Sequence, residues 1–244
     1  MKVVATLACR SNSKRLYGKP LQRLKNLTVL DYMVKNIQKT AGIDAVVLAI
    51  SEAPGNEVYQ AYAIENKIPY IFGDDKDVLK RLINACQLMS GDTVFRVTTE
   101  SPFIYLEKFA EALESHKKLN ADYTTIANLP DGSAFELISL NALKQSHQQG
   151  EDKHRSELCT LYLNENRTKF TFNIIQPNDE HNRPNYRLTI DFPEDLILCR
   201  KIVLALGEEK YIEFDQLIPF LDKNPNLRKD IESLNDENYV RYYY

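Results

Sequence analysis

Glycine is scarce in this 244-residue chain, with eight in all, alongside ten prolines and no tryptophan. That poverty excludes collagen-like and low-complexity architectures, and a 43% apolar content excludes a mainly disordered chain. No apolar run approaches the roughly 20 residues that a membrane helix needs. The opening Met1-Lys-Val-Val-Ala-Thr-Leu-Ala runs straight into Arg10, too short for a signal-peptide core, so the chain is expected to be soluble and cytoplasmic, with no membrane partner. Its four cysteines (Cys9, Cys86, Cys159 and Cys199) form no Cys-x-x-Cys pair, and the four histidines do not cluster with them. Zinc sites and disulfide frameworks are thereby disfavoured, and buried reduced thiols are expected.

Charge is unevenly placed. Residues 1–30 carry seven lysines and arginines and no acidic residue, while the remainder is net −10. A general nucleic-acid binder would spread its basic surface more widely, so the segment reads as a local anion site and no nucleic-acid partner is expected. Length fits one large domain, 1–244, with residues 120–180 as an elaboration.

The first half alternates strand and helix. Val3–Ala8 and Ala45–Ile50 are unbroken apolar stretches, as for strands buried on both faces. Ile68–Phe72 and Thr93–Val97 read as further strands. Helical spacing runs through Leu27–Ala41, Glu57–Asn66 and Val78–Met89, with Thr28 as N-cap and Asp31 at capping-box distance. Single helices between strands imply a mostly parallel, Rossmann-like α/β sheet with helices on both faces. Ligands of such sheets sit beyond the carboxyl ends of the strands: the 9–20 loop, the Ser51 turn, the 73–77 turn and Thr98–Glu100. The second half predicts a helix at Leu106–Leu119 and strands at Ala121–Ala127, Phe135–Ser139 and Lys169–Ile175, a small β-rich elaboration. It also predicts a helix at His154–Asn164, a strand at Tyr186–Ile190 that returns to the sheet, a helix at Asp195–Leu206, and a tail of helix then coil. The tyrosines within 240–244 read as a packed or sticky tail.

The most informative segment is Arg10-Ser-Asn-Ser13-Lys14-Arg15-Leu-Tyr-Gly18-Lys19-Pro20. A triphosphate presents several closely spaced anionic oxygens, and binding it takes guanidinium and ammonium groups that reach different phosphates. Arg10, Arg15 and Lys19 converge if the loop curls, Ser13 adds a hydroxyl, and Gly18 permits close backbone approach. The spacing matches neither a Walker loop nor a dinucleotide fingerprint.

This segment resembles the opening of the cytidylyltransferases that activate acidic sugars. These include enzymes for 3-deoxy-manno-octulosonate and sialic-acid-like sugars and a spore-coat polysaccharide-synthesis branch. The resemblance continues, in the family's order, through Asp77-Val-Leu-Lys-Arg81, Arg96-Val-Thr-Thr-Glu100-Ser-Pro, Pro130-Asp-Gly with Glu136, and Thr189-Ile-Asp191-Phe-Pro-Glu194-Asp195-Leu. It implies transfer of CMP from CTP to a small acidic acceptor, release of pyrophosphate, a Mg²⁺ cofactor and a homodimer joined through 120–180. Arg10, Ser13, Arg15 and Lys19 would cradle the triphosphate, Arg10 and Lys19 would steady the transition state, and Glu100 and Asp191 would hold Mg²⁺.

The chain departs from the family at Thr99-Glu100, where Gly-Asp is usual, at Asn12, where glycine is common, and at Tyr17, where proline is usual. Read without the family, Glu100 pairs with Arg96 or a lysine, and Asp191 caps the helix that begins near Pro193. Glu194 and Asp195 stabilise that helix's dipole. Arg81 and Arg187 approach phosphate or ribose, or form surface ion pairs. His154, Arg155 and Glu157 fall where the family carries an acceptor-side helix. Two other functions remain open at this point: a nucleotide-sugar glycosyltransferase using Asp75-Lys76-Asp77 as its metal motif, and a catalytically degenerate nucleotide-binding relative.

Overall fold

The computed structural model describes residues 1–13 and 15–228; Lys14 and the tyrosine-rich tail lie outside the described residues. A seven-stranded sheet runs through the molecule: β1 (Val3–Cys9), β2 (Ala45–Ser51), β3 (Tyr70–Gly73), β4 (Thr93–Arg96), β5 (Tyr123–Ile126), β6 (Glu136–Ser139) and β7 (Phe172–Ile175). Their spatial order is β3-β2-β1-β4-β6-β5-β7. The first four are mutually parallel, β6 is antiparallel to both its neighbours, and β7 returns parallel to β5.

Alternation along the strands sends side chains to opposite faces, and each face is covered. Val3, Ala5 and Leu7 enter one core with α1 (Val29–Lys39), α2 (Glu57–Glu65), α4 (Phe109–Leu119), α7 (Pro193–Leu206) and α8 (Phe214–Lys223). Val4, Val47 and Ala49 enter the other with α3 (Val78–Leu88), α5 (Leu140–Gln149) and α6 (Leu161–Glu165). Burial on both faces is why β1 and β2 read as continuous apolar runs. The expected capping box is present: Asp31 N donates to Thr28 Oγ1 at 3.0 Å and Thr28 N to Asp31 Oδ2 at 2.8 Å. All four cysteines are free and buried, and burial pushes the Cys9 thiol up to about 12.

Residues 120–180 supply β5, β6 and β7, the three strands expected there, to the same sheet. The second half differs from its sequence reading in three places. Helix α5 was not anticipated; Ser139 caps it by accepting from Ala142 N at 3.1 Å. The helix expected over His154–Asn164 is broken into a 3₁₀ turn at Asp152–Arg155 and the short α6. Ser156 interrupts it, since its Oγ accepts from Leu158 N at 3.2 Å and so offers the backbone a local alternative to the helix. Finally, Tyr186–Ile190 does not rejoin the sheet. The antiparallel β6 already fills the open edge of β4, so the segment bonds to loop backbone instead. Asp131 N donates to Tyr186 O (2.8 Å), Leu188 N to Asp131 O (2.8 Å) and Ile190 N to Glu100 O (2.9 Å).

That lateral seam forces one close approach. Gly132 has φ +85°, and a Cβ there would stand 2.7 Å from Thr189 N. Gly132→Ala is therefore expected to destabilise the fold by about 1–3 kcal/mol. Urea denaturation should show a lower midpoint at an unchanged slope.

Candidate active site

The 10–19 loop leaves β1 and is tied down at its first residue. Ser11 N donates to Asn56 Oδ1 at 2.7 Å, Ser11 Oγ to Gly55 O at 3.0 Å, and Tyr59 Oη to Arg10 O at 3.1 Å. The loop then doubles back: Gly18 N donates to Ser11 O at 3.0 Å, with Gly18 in the left-handed region at φ +58°. Lys19 and Pro20 turn inward as a single 3₁₀ turn and are buried. The curl expected from the sequence is present, and it delivers Lys19 to the protein interior rather than to solvent.

Lys19 Nζ donates to Asp191 Oδ1 at 2.6 Å, and Arg15 Nη2 donates to the same oxygen at 2.8 Å. Arg187 Nη2 donates to Asp191 Oδ2 at 2.9 Å. Arg187 is shared further, with Asp195 through Nε at 2.8 Å and with Asp131 through Nη1 at 3.2 Å. Arg15 also lies over the Phe192 ring, 4.8 Å from its centroid. Asp191 is thus no helix cap; Asp195 does that work, accepting from Asp191 N at 2.8 Å and Phe192 N at 2.9 Å. Arg187 is buried among carboxylates, not engaged in a surface pair. Burial alone would raise the Asp191 carboxyl, but Lys19, Arg15 and Arg187 outweigh it and hold the group below its ordinary value.

Glu100 is the contrasting acid. Burial pushes its carboxyl above the ordinary value; Lys19 opposes this, while Asp191 and Glu157 add to it. It forms no ion pair among the described residues. Arg96, the partner considered from sequence, sits opposite Glu136 in the β4–β6 ladder and pairs with it instead. Tyr123 Oη donates to the same Glu136 at 2.8 Å. A half-buried carboxylate with no ion pair among the described residues, beside Asp191, is a donor set that suits an oxygen-seeking divalent ion completing its shell with phosphate oxygens. Among the described residues no three or more histidine, cysteine or acidic side chains form a closed metal cage.

Around these groups lies a cleft of about 720 Å³, within the range of small-ligand sites. Arg10, Ser13, Arg15, Lys19, Arg81, Glu100 and Asp191 all line it. Arg81 is buried in its wall, donating from Nη1 to Ala49 O at 3.0 Å, and its Nε has no hydrogen-bond partner among the described residues. Arg10 reaches across to Glu157, Nη2 to Oε2, at 2.6 Å. Two of the four strand ends, the 9–20 loop and Thr98–Glu100, line the cleft. The Ser51 and 73–77 turns do not: Ser51 Oγ donates to Asp75 at 2.5 Å, and Asp77 caps α3 and meets His147 at 2.7 Å. The Asp75–Asp77 pair is therefore no metal motif of this site. Of the acceptor-side trio only Glu157 faces the cleft; His154 is buried against Glu165, and Arg155 bonds His147 O and Gly150 O. Sequence reasoning gave no site role to Asn56, Tyr59 or Glu136. Asn56 and Tyr59 carry no motif; Glu136 stands in one, but its pairing with Arg96 depends on an antiparallel register.

A mostly parallel α/β sheet with a cation-lined cleft and two acidic groups at its carboxyl edge is the architecture of Rossmann-like nucleotidyltransferases. The sequence profile of the Cytidylyltransferase family matches residues 4–235. The chain belongs to that family and is a CTP-dependent nucleotidyltransferase. It is 26% identical over 236 residues to a spore coat polysaccharide biosynthesis protein of Bacillus subtilis, covering 95% of this chain and 98% of that one. Its fold is similar to that of a cytidylyltransferase from Leptospira borgpetersenii, with TM-score 0.84, 23% identity and coverage of 98% and 100%. It is also similar to a CMP:2-keto-3-deoxy-manno-octonic acid synthetase solved with CTP, with TM-score 0.64, 14% identity and coverage of 84% and 99%.

The raised Glu100 carboxyl has a signed consequence. An acid whose folded value exceeds its unfolded one destabilises the fold when ionised; the penalty is complete above the folded value and absent below the ordinary 4.5. In chelator-treated buffer, Glu100→Gln should raise the melting temperature at pH 7, and the gain should fade as pH drops towards 4. A gain that does not change with pH would show that charge is not its cause.

Proposed function

We propose that the protein transfers CMP from CTP to a small acidic acceptor and releases pyrophosphate with Mg²⁺ as cofactor. The observation that carries this reading is the meeting of Arg15, Lys19, Glu100 and Asp191 in one cleft beyond the strand ends. Arg10, Arg15 and Lys19, with the Ser13 hydroxyl, bind the triphosphate, each cation exchanging a carboxylate partner for phosphate oxygens. Arg81 closes the nucleotide side of the wall. Glu100 and Asp191 hold the metal, which when bound offsets the charge that builds on the phosphoryl oxygens.

The acceptor hydroxyl oxygen attacks the α-phosphorus in line and gives up its proton to solvent, the bond to the pyrophosphate oxygen breaks, and pyrophosphate departs with the bonding electrons. Little covalent work falls to the protein. Lys19 is immobilised by burial, and Arg10 stands at the cleft mouth; both place positive charge where it is needed in the transition state. The acceptor lies on the β4–β6 side, against Thr98, Ser101, Leu129 and Leu158. A sugar acid is the favoured acceptor class, supported by the polysaccharide-biosynthesis relative. We place the enzyme in the cytoplasm as a homodimer assembled through residues 120–180. Sedimentation that shows a monomer at micromolar concentration would overturn the dimer.

Incubation with CTP, Mg²⁺ and a panel of sugar acids should release pyrophosphate with at least one acid. Lys19→Ala and Arg10→Ala should each lower turnover by about 10²-fold or more with the fold intact by circular dichroism. Tight CTP binding without turnover for any acid would identify a non-catalytic relative instead.

A further inference from the structure

We propose that Glu157 is a positioning residue that holds Arg10 across the cleft mouth until the triphosphate takes Arg10 over. The inference rests on the CTP reading above.

Each of the described loop cations, Arg10, Arg15 and Lys19, already has an anion in this structure, but the two kinds of partner differ. Arg15 and Lys19 share Asp191, which is 5% exposed and fixed from behind by Arg187, so it stays in place whatever its other partners do. Arg10 instead meets Glu157 across 147 residues of sequence, and both side chains are substantially exposed, at 46% and 67%. Glu157 has no second cation on its carboxylate among the described residues. Its main chain, by contrast, is anchored: Arg96 Nη2 donates to Glu157 O at 3.1 Å, while the neighbouring Leu158 lines the cleft and Cys159 is buried beneath. A fixed backbone therefore carries a free-ended carboxylate to the place where it meets Arg10.

An exposed pair of this kind contributes no more than about five-fold in an equilibrium constant. A phosphate group offers Arg10 two acceptor oxygens in the fork geometry of a guanidinium, with more charge than a carboxylate. Arg10 thus exchanges partners on nucleotide binding while its main chain stays pinned by Tyr59. Glu157 swings free on the acceptor side of the cleft. The pair keeps an otherwise mobile arginine extended over the site and yields it at small cost.

Calorimetric titration of the full chain with CTP in the presence of magnesium chloride tests this, using wild type, Glu157→Gln, Arg10→Met and the double variant. Glu157→Gln should bind CTP about two- to five-fold more tightly than wild type. In the Arg10→Met background the same change should gain less than about half of that, because only general repulsion is then relieved. At about 1 M salt, where screening acts over roughly 3 Å, the gain should vanish. Equal gains in both backgrounds would overturn the proposal, as would weaker binding by Glu157→Gln, which would make Glu157 part of the nucleotide site itself. Absence of CTP binding by wild type would overturn the functional reading first, and the two failures are thereby distinct.

Discussion

Asp191 is where the molecule closes on itself. Its two oxygens take Lys19 and Arg15 from the first loop of the chain and Arg187 from four residues upstream, tying segments more than 170 residues apart. With Asp131 and Asp195 on Arg187, the cluster comprises three cations and three carboxylates, and five of these side chains are well shielded from water. Burying charge is costly unless every member is paired, and removal of one member leaves another stranded. The constraint explains why the site is assembled from both ends of the chain. Neither the basic loop nor the acidic segment is electrostatically tolerable in that position without the other.

The same pairing organises the surroundings. Arg187 sits on the strip of extended chain that lies against the 128–132 turn and the Thr98–Glu100 loop. Its charge therefore couples the lateral seam to the cleft floor. Asp195 does double duty, capping α7 and neutralising Arg187, so the helix start and the site share one carboxylate. Glycine serves two different needs here: Gly18 takes a left-handed backbone angle in open space, whereas Gly132 lets the seam pass close to Thr189.

Much of this was legible in sequence where the signal is local. The apolar runs of β1 and β2, the Thr28–Asp31 box and the basic loop all announce themselves within a dozen residues, and each is found where expected. The resemblance to the cytidylyltransferases implied that Arg10, Arg15, Lys19, Glu100 and Asp191 share one site, with Arg81 near phosphate or ribose, and all six line one cleft. What could not be read depends on distant partners. The antiparallel turn of β6 sets Arg96 against Glu136, and nothing near Arg96 in the chain signals that pairing. Residues 186–190 have strand-like composition, but no sheet edge is left for them once β6 occupies its place. Helix 154–164 has adequate periodicity, yet one serine hydroxyl suffices to divert its backbone.

The cleft is also poised against itself in a way that bears on how it works. Among the described residues that line it, Arg10, Arg15, Lys19 and Arg96 are already answered by carboxylates, and the fifth cation, Arg81, faces strand carbonyls. On the proposed reading an incoming triphosphate displaces these existing pairs, which tempers affinity. Glu100 is the exception, a half-buried acid on the cleft wall with no ion pair among the described residues. On the proposed reading, a bound cation relieves the burden that burial places on its ionised form. Glutamate in place of the aspartate usual in the family lengthens the reach of that group by one methylene without changing its charge.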